Sequence, residues 1–153
     1  MPAVRRFAPT RPAHPAHRPL RGPEDALSVL LAGGGPPPPC IALLLLDGHH
    51  RGLACLEVGG RADTDAVLDA LETVLAAAEA EPGLAAVVLA CFREGGGYQP
   101  APGEEECFAT LRELCGEVGL ELIDWFVVAN GFTTSLAELT GAASWWGPGG
   151  GGG

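Results

Sequence analysis

Cys91, Arg93 and Glu104 are the residues whose types and spacing offer this chain the most chemistry. Cys91-Phe92-Arg93-Glu94 closes an apolar run, a Gly/Pro-rich stretch continues to Gly103, and Glu104-Glu105-Glu106 opens a helical pattern. A loop between a strand's carboxyl end and a following helix is where α/β proteins build sites. A thiol and a carboxylate there are metal-ligand types, and a thiol is also a nucleophile type. Each has an ordinary alternative. Cys91 reads as a small buried strand residue, or as a residual ligand or reactive thiol. Arg93 reads as a solvated loop partner of Glu94, or as the ion-pair partner of Glu104. The acids at 104–106 read as charge complementing a helix N-terminus. His49-His50 reads as an exposed turn, since no third donor lies near it in sequence. Asp124 either lines a cleft or is packed with its hydrogen bonds satisfied. No cysteine nucleophile with a histidine base can be assembled from these residues.

Composition narrows the classes. The 153 residues suit one domain, and all nine basic residues are Arg, so lysine Schiff-base and P-loop chemistry are excluded. Five Arg precede residue 22, leaving 4 Arg against 19 acids beyond it, a balance of −15. Such a body repels phosphate backbones, so nucleic acid is not the expected partner, and any binding to it would have to come from the arginine-rich start alone. Five Cys without CxxC spacing favour a reduced, cytoplasmic protein. Arg5-Arg6-Phe7 imitates a twin-arginine signal, but Glu24-Asp25 and the lack of a small-x-small cleavage site argue against one. No apolar run approaches the roughly 20 residues that span a bilayer.

The elements that must position the site follow from periodicity. Residues 1–22, rich in Pro and Arg, predict a disordered arm, and 142–153, with Trp145-Trp146 and a glycine run, predict a flexible tail. The twin Trp would cap the core or anchor a partner. Pro23-Glu24-Asp25 opens a short helix ended by Gly33-Gly34-Gly35, and Pro36 to Pro39 form a stiff spacer. Ile41–Leu46 and Leu53–Val58 predict two strands joined by a tight turn at Asp47-Gly48, the first buried on both faces. Asp63 caps a long amphipathic helix running to Pro82-Gly83. Leu84–Ala90 predicts a buried strand, Cys91–Gly103 a loop, Glu104–Val118 a helix and Leu120–Val128 a strand. Asn130-Gly131 then turns the chain into a short strand ending near Ser135-Leu136. The fold class is mixed α/β, a sheet flanked by helices in three layers.

Val87–Gly96, Pro100–Glu104 and Leu122–Val128 together resemble the bacterial RadC-like branch of the JAB/MPN (JAMM) metallopeptidase domains. Family members read His-x-His-Pro-Ser-Gly in the loop, then Ser-x-x-Asp, then Leu-Leu-Asp-His-x-x-Val in the later strand. The spacing aligns without a gap. Cys91 and Arg93 stand at the two histidines, Gly95 and Ala101 at the loop serines, and Glu104 at the aspartate. Pro23-Glu24-Asp25, Leu44–Asp47 with His50-Arg51, and Ser135-Leu136 also match in order, so the resemblance covers roughly residues 22–141 and implies one JAB/MPN-like (cytidine-deaminase-like) domain at 23–141. The helical module that precedes this domain in longer RadC proteins has no counterpart in the sequence.

The resemblance implies a zinc held by two His and one Asp, with an open fourth position for a water that a distant Glu deprotonates. The motif positions Cys91, Arg93, Gly95, Ala101 and Glu104 are degenerate. Guanidinium cannot ligate, and no acid stands among Pro36–Cys40, where the general base would fall. The expectation is a pseudoenzyme with no catalytic residues and no cofactor, which binds a protein or peptide and touches no membrane. The alternative is a divergent isopeptidase-like hydrolase whose zinc is held by Cys91, Glu104 and a third ligand among His49, His50 and Asp124. DNA association is the weakest reading.

Overall fold

A computed structural model of the protein describes residues 3–6, 19–95 and 99–141. The expected tail at 142–153, with Trp145 and Trp146, lies outside the described residues, as does most of the expected arm. In chain order the elements are β1 (Ala3–Arg6), α1 (Pro23–Leu30), β2 (Cys40–Leu46), β3 (Gly52–Gly59), α2 (Thr64–Ala80) and β4 (Ala86–Phe92). They continue as α3 (Glu104–Glu117), β5 (Glu121–Ala129), β6 (Phe132–Ser135) and α4 (Leu136–Thr140), with a short 3-10 turn at Ala32–Gly34 after α1.

Five strands of the body and the short edge strand β1 form one mixed sheet in the order β1-β3-β2-β4-β5-β6. Only β4 and β5 run parallel, joined by the crossover through α3, and the other pairings are antiparallel. The apolar runs at 40–46 and 86–92 have every residue buried because both are central strands with both faces covered. Odd-numbered residues of β2 and β4 pack with α2, α3 and α4, whereas even-numbered ones pack with Leu20 and α1. Three layers result, with two apolar cores divided by the sheet.

Two expectations change here. The segment expected to be a disordered arm contributes β1, whose Ala3 to Arg6 pair with Glu57 to Ala54 of β3. Leu20 is buried as well, and its N–H donates to the His50 carbonyl at 2.9 Å. Backbone pairing to a strand some fifty residues away leaves no local signal, and a composition rich in Pro and Arg hides it. The turn after β2 is also longer than the tight one expected. The Asp47 carboxylate accepts the N–H groups of His49 and Arg51 at 2.8 and 2.9 Å, so one side chain organises a loop of several residues.

The carboxyl ends of β3, β4 and β5 lie at one end of the sheet, with the start of β2 among them. Since α2 and α3 both begin at this end, their amino termini flank the end of β4. From the Ala86/Glu121 level to the Phe92/Val128 level the sheet runs roughly 20 Å at the usual rise per residue.

Candidate functional site

Strand β4 continues two residues beyond the expected end at Ala90, so Cys91 belongs to the sheet and Arg93 is the first residue past it. The Arg93 N–H donates to the Val128 carbonyl at 2.8 Å, holding the emerging loop against β5. Its side chain turns toward the helix layer, where Nε donates to the Ala62 carbonyl at 3.1 Å and Nη2 to Glu104 Oε2 at 2.6 Å. The same Oε2 accepts Thr64 Oγ1 at 2.7 Å, and Oε1 accepts the Ala101 N–H at 2.8 Å. One carboxylate thereby ties together the starts of α2 and α3 and the end of β4.

Glu104 is 0% exposed and Arg93 16% exposed by side chain, so this is an interior ion pair. A carboxylate is rarely fully buried unless paired and hydrogen-bonded, and here both conditions hold. Burial pushes the Glu104 carboxyl up, but the Arg93 guanidinium, the Ala101 N–H and the Thr64 hydroxyl together hold it below the usual carboxylate range. Burial likewise works against the Arg93 charge, and the Glu104 carboxylate more than restores it. The expectation that Arg93 pairs with exposed Glu94 therefore gives way to the pair with Glu104. Glu105 and Glu106 remain exposed, the ordinary helix-start acids expected of all three.

Cys91 is fully buried among the residues packed under α2 and α3, where burial pushes its thiol up to about 12. The nearby guanidinium of Arg93 and indole N–H of Trp125 pull the other way without overcoming desolvation. That N–H, itself buried, has no well-formed hydrogen bond among the described residues, so its pull on the sulfur is weak. At neutral pH Cys91 is a neutral thiol, unsuited to nucleophilic attack. Above the ion pair lies an open depression of about 510 Å³, bordered by Pro39, Ala62, Asp63, Thr64, Gly95 and Ala101. Gly95 adopts φ 70°, a conformation costly for the serine that the resemblance places there.

The structure thus brings Cys91, Arg93, Ala101 and Glu104 together, with Gly95 at the rim. His49, His50 and Asp124 are elsewhere. His50 Nε2 lies 3.1 Å from Glu121 Oε1, at the amino end of β5 and so at the far end of the sheet. His50 is partly buried by this contact, in contrast to the exposed turn expected for both histidines. Among the described residues no three His, Cys, Asp or Glu side chains converge as a metal-binding group. Two partners of the site escaped the sequence reading. Thr64 follows a recognisable cap, yet its hydroxyl reaches a residue forty positions away, and Ala62 contributes only its carbonyl.

Asp124 is packed and satisfied. At 1% exposure it lies beside a register irregularity between β4 and β5. Oδ1 accepts the N–H groups of Trp125 at 2.7 Å and Ala137 at 3.0 Å, and Oδ2 accepts the Ser135 hydroxyl at 2.6 Å. Ser135 in turn caps α4 through the Glu138 N–H. Burial raises the Asp124 carboxyl above its ordinary value against these donors. A raised folded-state value means that the group favours folding below its unfolded value, about 3.9, and that this contribution is lost as pH rises through the folded value. Asp124→Asn keeps an acceptor for the two N–H groups and removes the titration, so wild type loses stability relative to this variant as pH rises through that window. Asp124→Ala leaves buried donors unpaired and costs about 3 kcal/mol. Urea melts of both variants across the acid range check the pair of outcomes.

No protein-family model matches the chain, and no curated protein matches it.

Proposed function

We propose that the chain is a non-catalytic JAB/MPN-like domain of the RadC-like kind, a cytoplasmic module that binds a protein or peptide and hydrolyses nothing. The observation carrying this reading is the interior Arg93–Glu104 ion pair. It joins the two positions at which the resemblance puts a histidine and an aspartate ligand. The donor set does not fit zinc. Arg93 holds a fixed positive charge at a ligand position, and all the acceptor capacity shown by Glu104 is directed to Arg93, Thr64 and Ala101. Cys91 would have to lose a proton from a thiol held near 12. The mixed sheet flanked by helices suits this reading, and the open depression over the pair is where a partner would dock.

The test is metal content of the purified, reduced full chain by elemental analysis, then zinc titration against a chelating indicator with Cys91→Ser alongside. The expected result is metal-free protein without a submicromolar site, and no difference between the chains. Near-stoichiometric zinc that vanishes in Cys91→Ser would replace this reading with a zinc hydrolase.

A further inference from the structure

Among the described residues, exposed large apolar side chains gather on two neighbouring helices: Leu68 on α2, Leu114 on α3 and Val118 at the end of α3. Helix α2 packs over β2, and α3 and α4 pack over β5, so α3 has α2 on one flank and α4 on the other. The flank toward α4 carries Phe108 and Arg112. There the guanidinium lies 5.5 Å from the Phe108 ring centre, and its charge reaches Asp124, which is bonded to Ser135 and Ala137 at the start of α4. Cys107, Leu114 and Val118, at helical spacing on the opposite flank, therefore face α2. On α2 the Thr64 hydroxyl, donating to Glu104, marks the side turned to α3. Leu68, Leu71 and Leu75 follow Thr64 at four, seven and eleven residues on that side. Exposure grades from floor to rim: Leu71 and Leu111 are buried, Leu75 and Cys107 half-buried, and Leu68 and Leu114 exposed. The backbones of α2 and α3 also approach each other less than those of α3 and α4 do. An apolar furrow results, about 20 Å long at the usual helical rise over the 14 residues of α3. At Thr64 and Glu104 it opens into the depression over the ion pair.

Acids line both rims. On α2, Asp65, Glu72 and Glu79 recur every seven residues, just outward of Leu68 and Leu75. On α3, Glu106, Glu113 and Glu117 immediately precede Cys107, Leu114 and Val118. All six are exposed, and none forms an ion pair among the described residues. The four arginines beyond residue 22 do not offset them. Arg93 is held by Glu104, Arg61 by Asp63 and Asp69, Arg112 lies on the other flank of α3, and Arg51 stands in the loop after β2. An apolar floor between two acidic rims is the complement of an amphipathic helix whose apolar stripe is bordered by basic residues. Repulsion between like rims disfavours a second copy of this chain. We propose that the α2–α3 furrow docks a basic amphipathic helix of a partner protein, its apolar stripe on Leu68, Leu75 and Leu114 and its Lys or Arg heads on the two acidic rims. This rests on the binding-module reading above and names the surface and the chemistry of its partner.

The test uses the reduced full chain and a fluorescein-labelled peptide of about 18 residues, a length that follows α2 from end to end. Its leucines are placed at helical spacing with lysines on both sides, and binding is followed by anisotropy at about 0.1 M salt. The expected result is saturable micromolar binding to wild type, weakened roughly tenfold by Leu68→Ser with Leu114→Ser. Glu72→Gln with Glu113→Gln weakens it about fivefold, whereas Glu24→Gln with Glu138→Gln, an equal loss of charge away from the furrow, leaves it unchanged. Absent binding would overturn the proposal, as would equal affinity for a scrambled peptide of the same composition or for the two pairs of Gln variants. So would a wild-type dimer, seen by light scattering, that the serine variant loses, or full displacement of the probe by an equimolar peptide of residues 1–22. A second copy or the chain's own arginines would then fill the furrow. Should the serine variant lose its cooperative melt, Leu114→Ala alone takes its place under the same criteria. Zinc titration of the same preparations separates the two failures: absent binding without zinc removes this surface only, and absent binding with bound zinc removes the binding-module reading as well.

Discussion

Arg93→Ala lowers the stability of the chain by about 3–5 kcal/mol, the cost of leaving a buried charge without its partner. Glu104 has no exposed surface, and its carboxylate relies on the guanidinium, the Thr64 hydroxyl and the Ala101 N–H for its hydrogen bonds. The pH dependence changes sign with it. In wild type the Glu104 carboxyl is held below the usual range, so the contribution of the pair is present above the unfolded value, about 4.3, and is lost as pH falls through the lower folded value. Without Arg93, burial dominates and raises the carboxyl. The variant then gains stability relative to wild type as pH falls. Replacing both partners, as in Arg93→Met with Glu104→Leu, removes the charge and its desolvation together and recovers most of the loss. Urea unfolding of the three proteins at neutral and acid pH checks all three statements. An Arg93→Ala chain as stable as wild type would mean that the pair is solvated and holds nothing.

The combined variant Cys91→His, Arg93→His and Glu104→Asp is expected to bind close to one zinc ion per chain with submicromolar affinity, and wild type is expected to bind none. If the scaffold is the proposed JAB/MPN-like one, these three positions, at a strand end and a helix start, stand where its ligands would be. Exchanging the ion pair for two imidazoles and a shorter carboxylate then rebuilds a three-ligand open site. Hydrolysis is not expected to return with the metal, because Pro36–Cys40 still lacks an acid to serve as base. Elemental analysis and competition with a chelating indicator measure the change. A well-folded variant that takes up no zinc would show that the spacing match is superficial.

Much of the architecture is legible in the residues because it is local. The apolar runs in β2 and β4, the Asp63 cap of α2 and the periodicity of α3 each announce themselves within a dozen positions. What the sequence hides is long-range. Strand β1 depends on β3, fifty residues on, and looks like an arm because its neighbours are Pro and Arg. His50 is held by Glu121, seventy-one positions away. Glu104 is the most instructive residue. As the first of three acids at a helix start it has the appearance of surface charge, and only the arrival of Arg93 and Thr64 from two other elements makes it interior. Its place at a strand–loop–helix junction is legible, but its ion pair is one of two open readings for Arg93, because spacing does not say which acid a guanidinium meets.

The most direct test is a titration of the Glu104 side-chain carboxyl carbon, followed by NMR in the reduced full chain with and without added zinc. The expected result is a midpoint below the usual carboxylate range, unchanged by the metal. A midpoint at the ordinary glutamate value, or a resonance that moves on adding one equivalent of zinc, would contradict the proposed reading of an ion pair in place of a metal site.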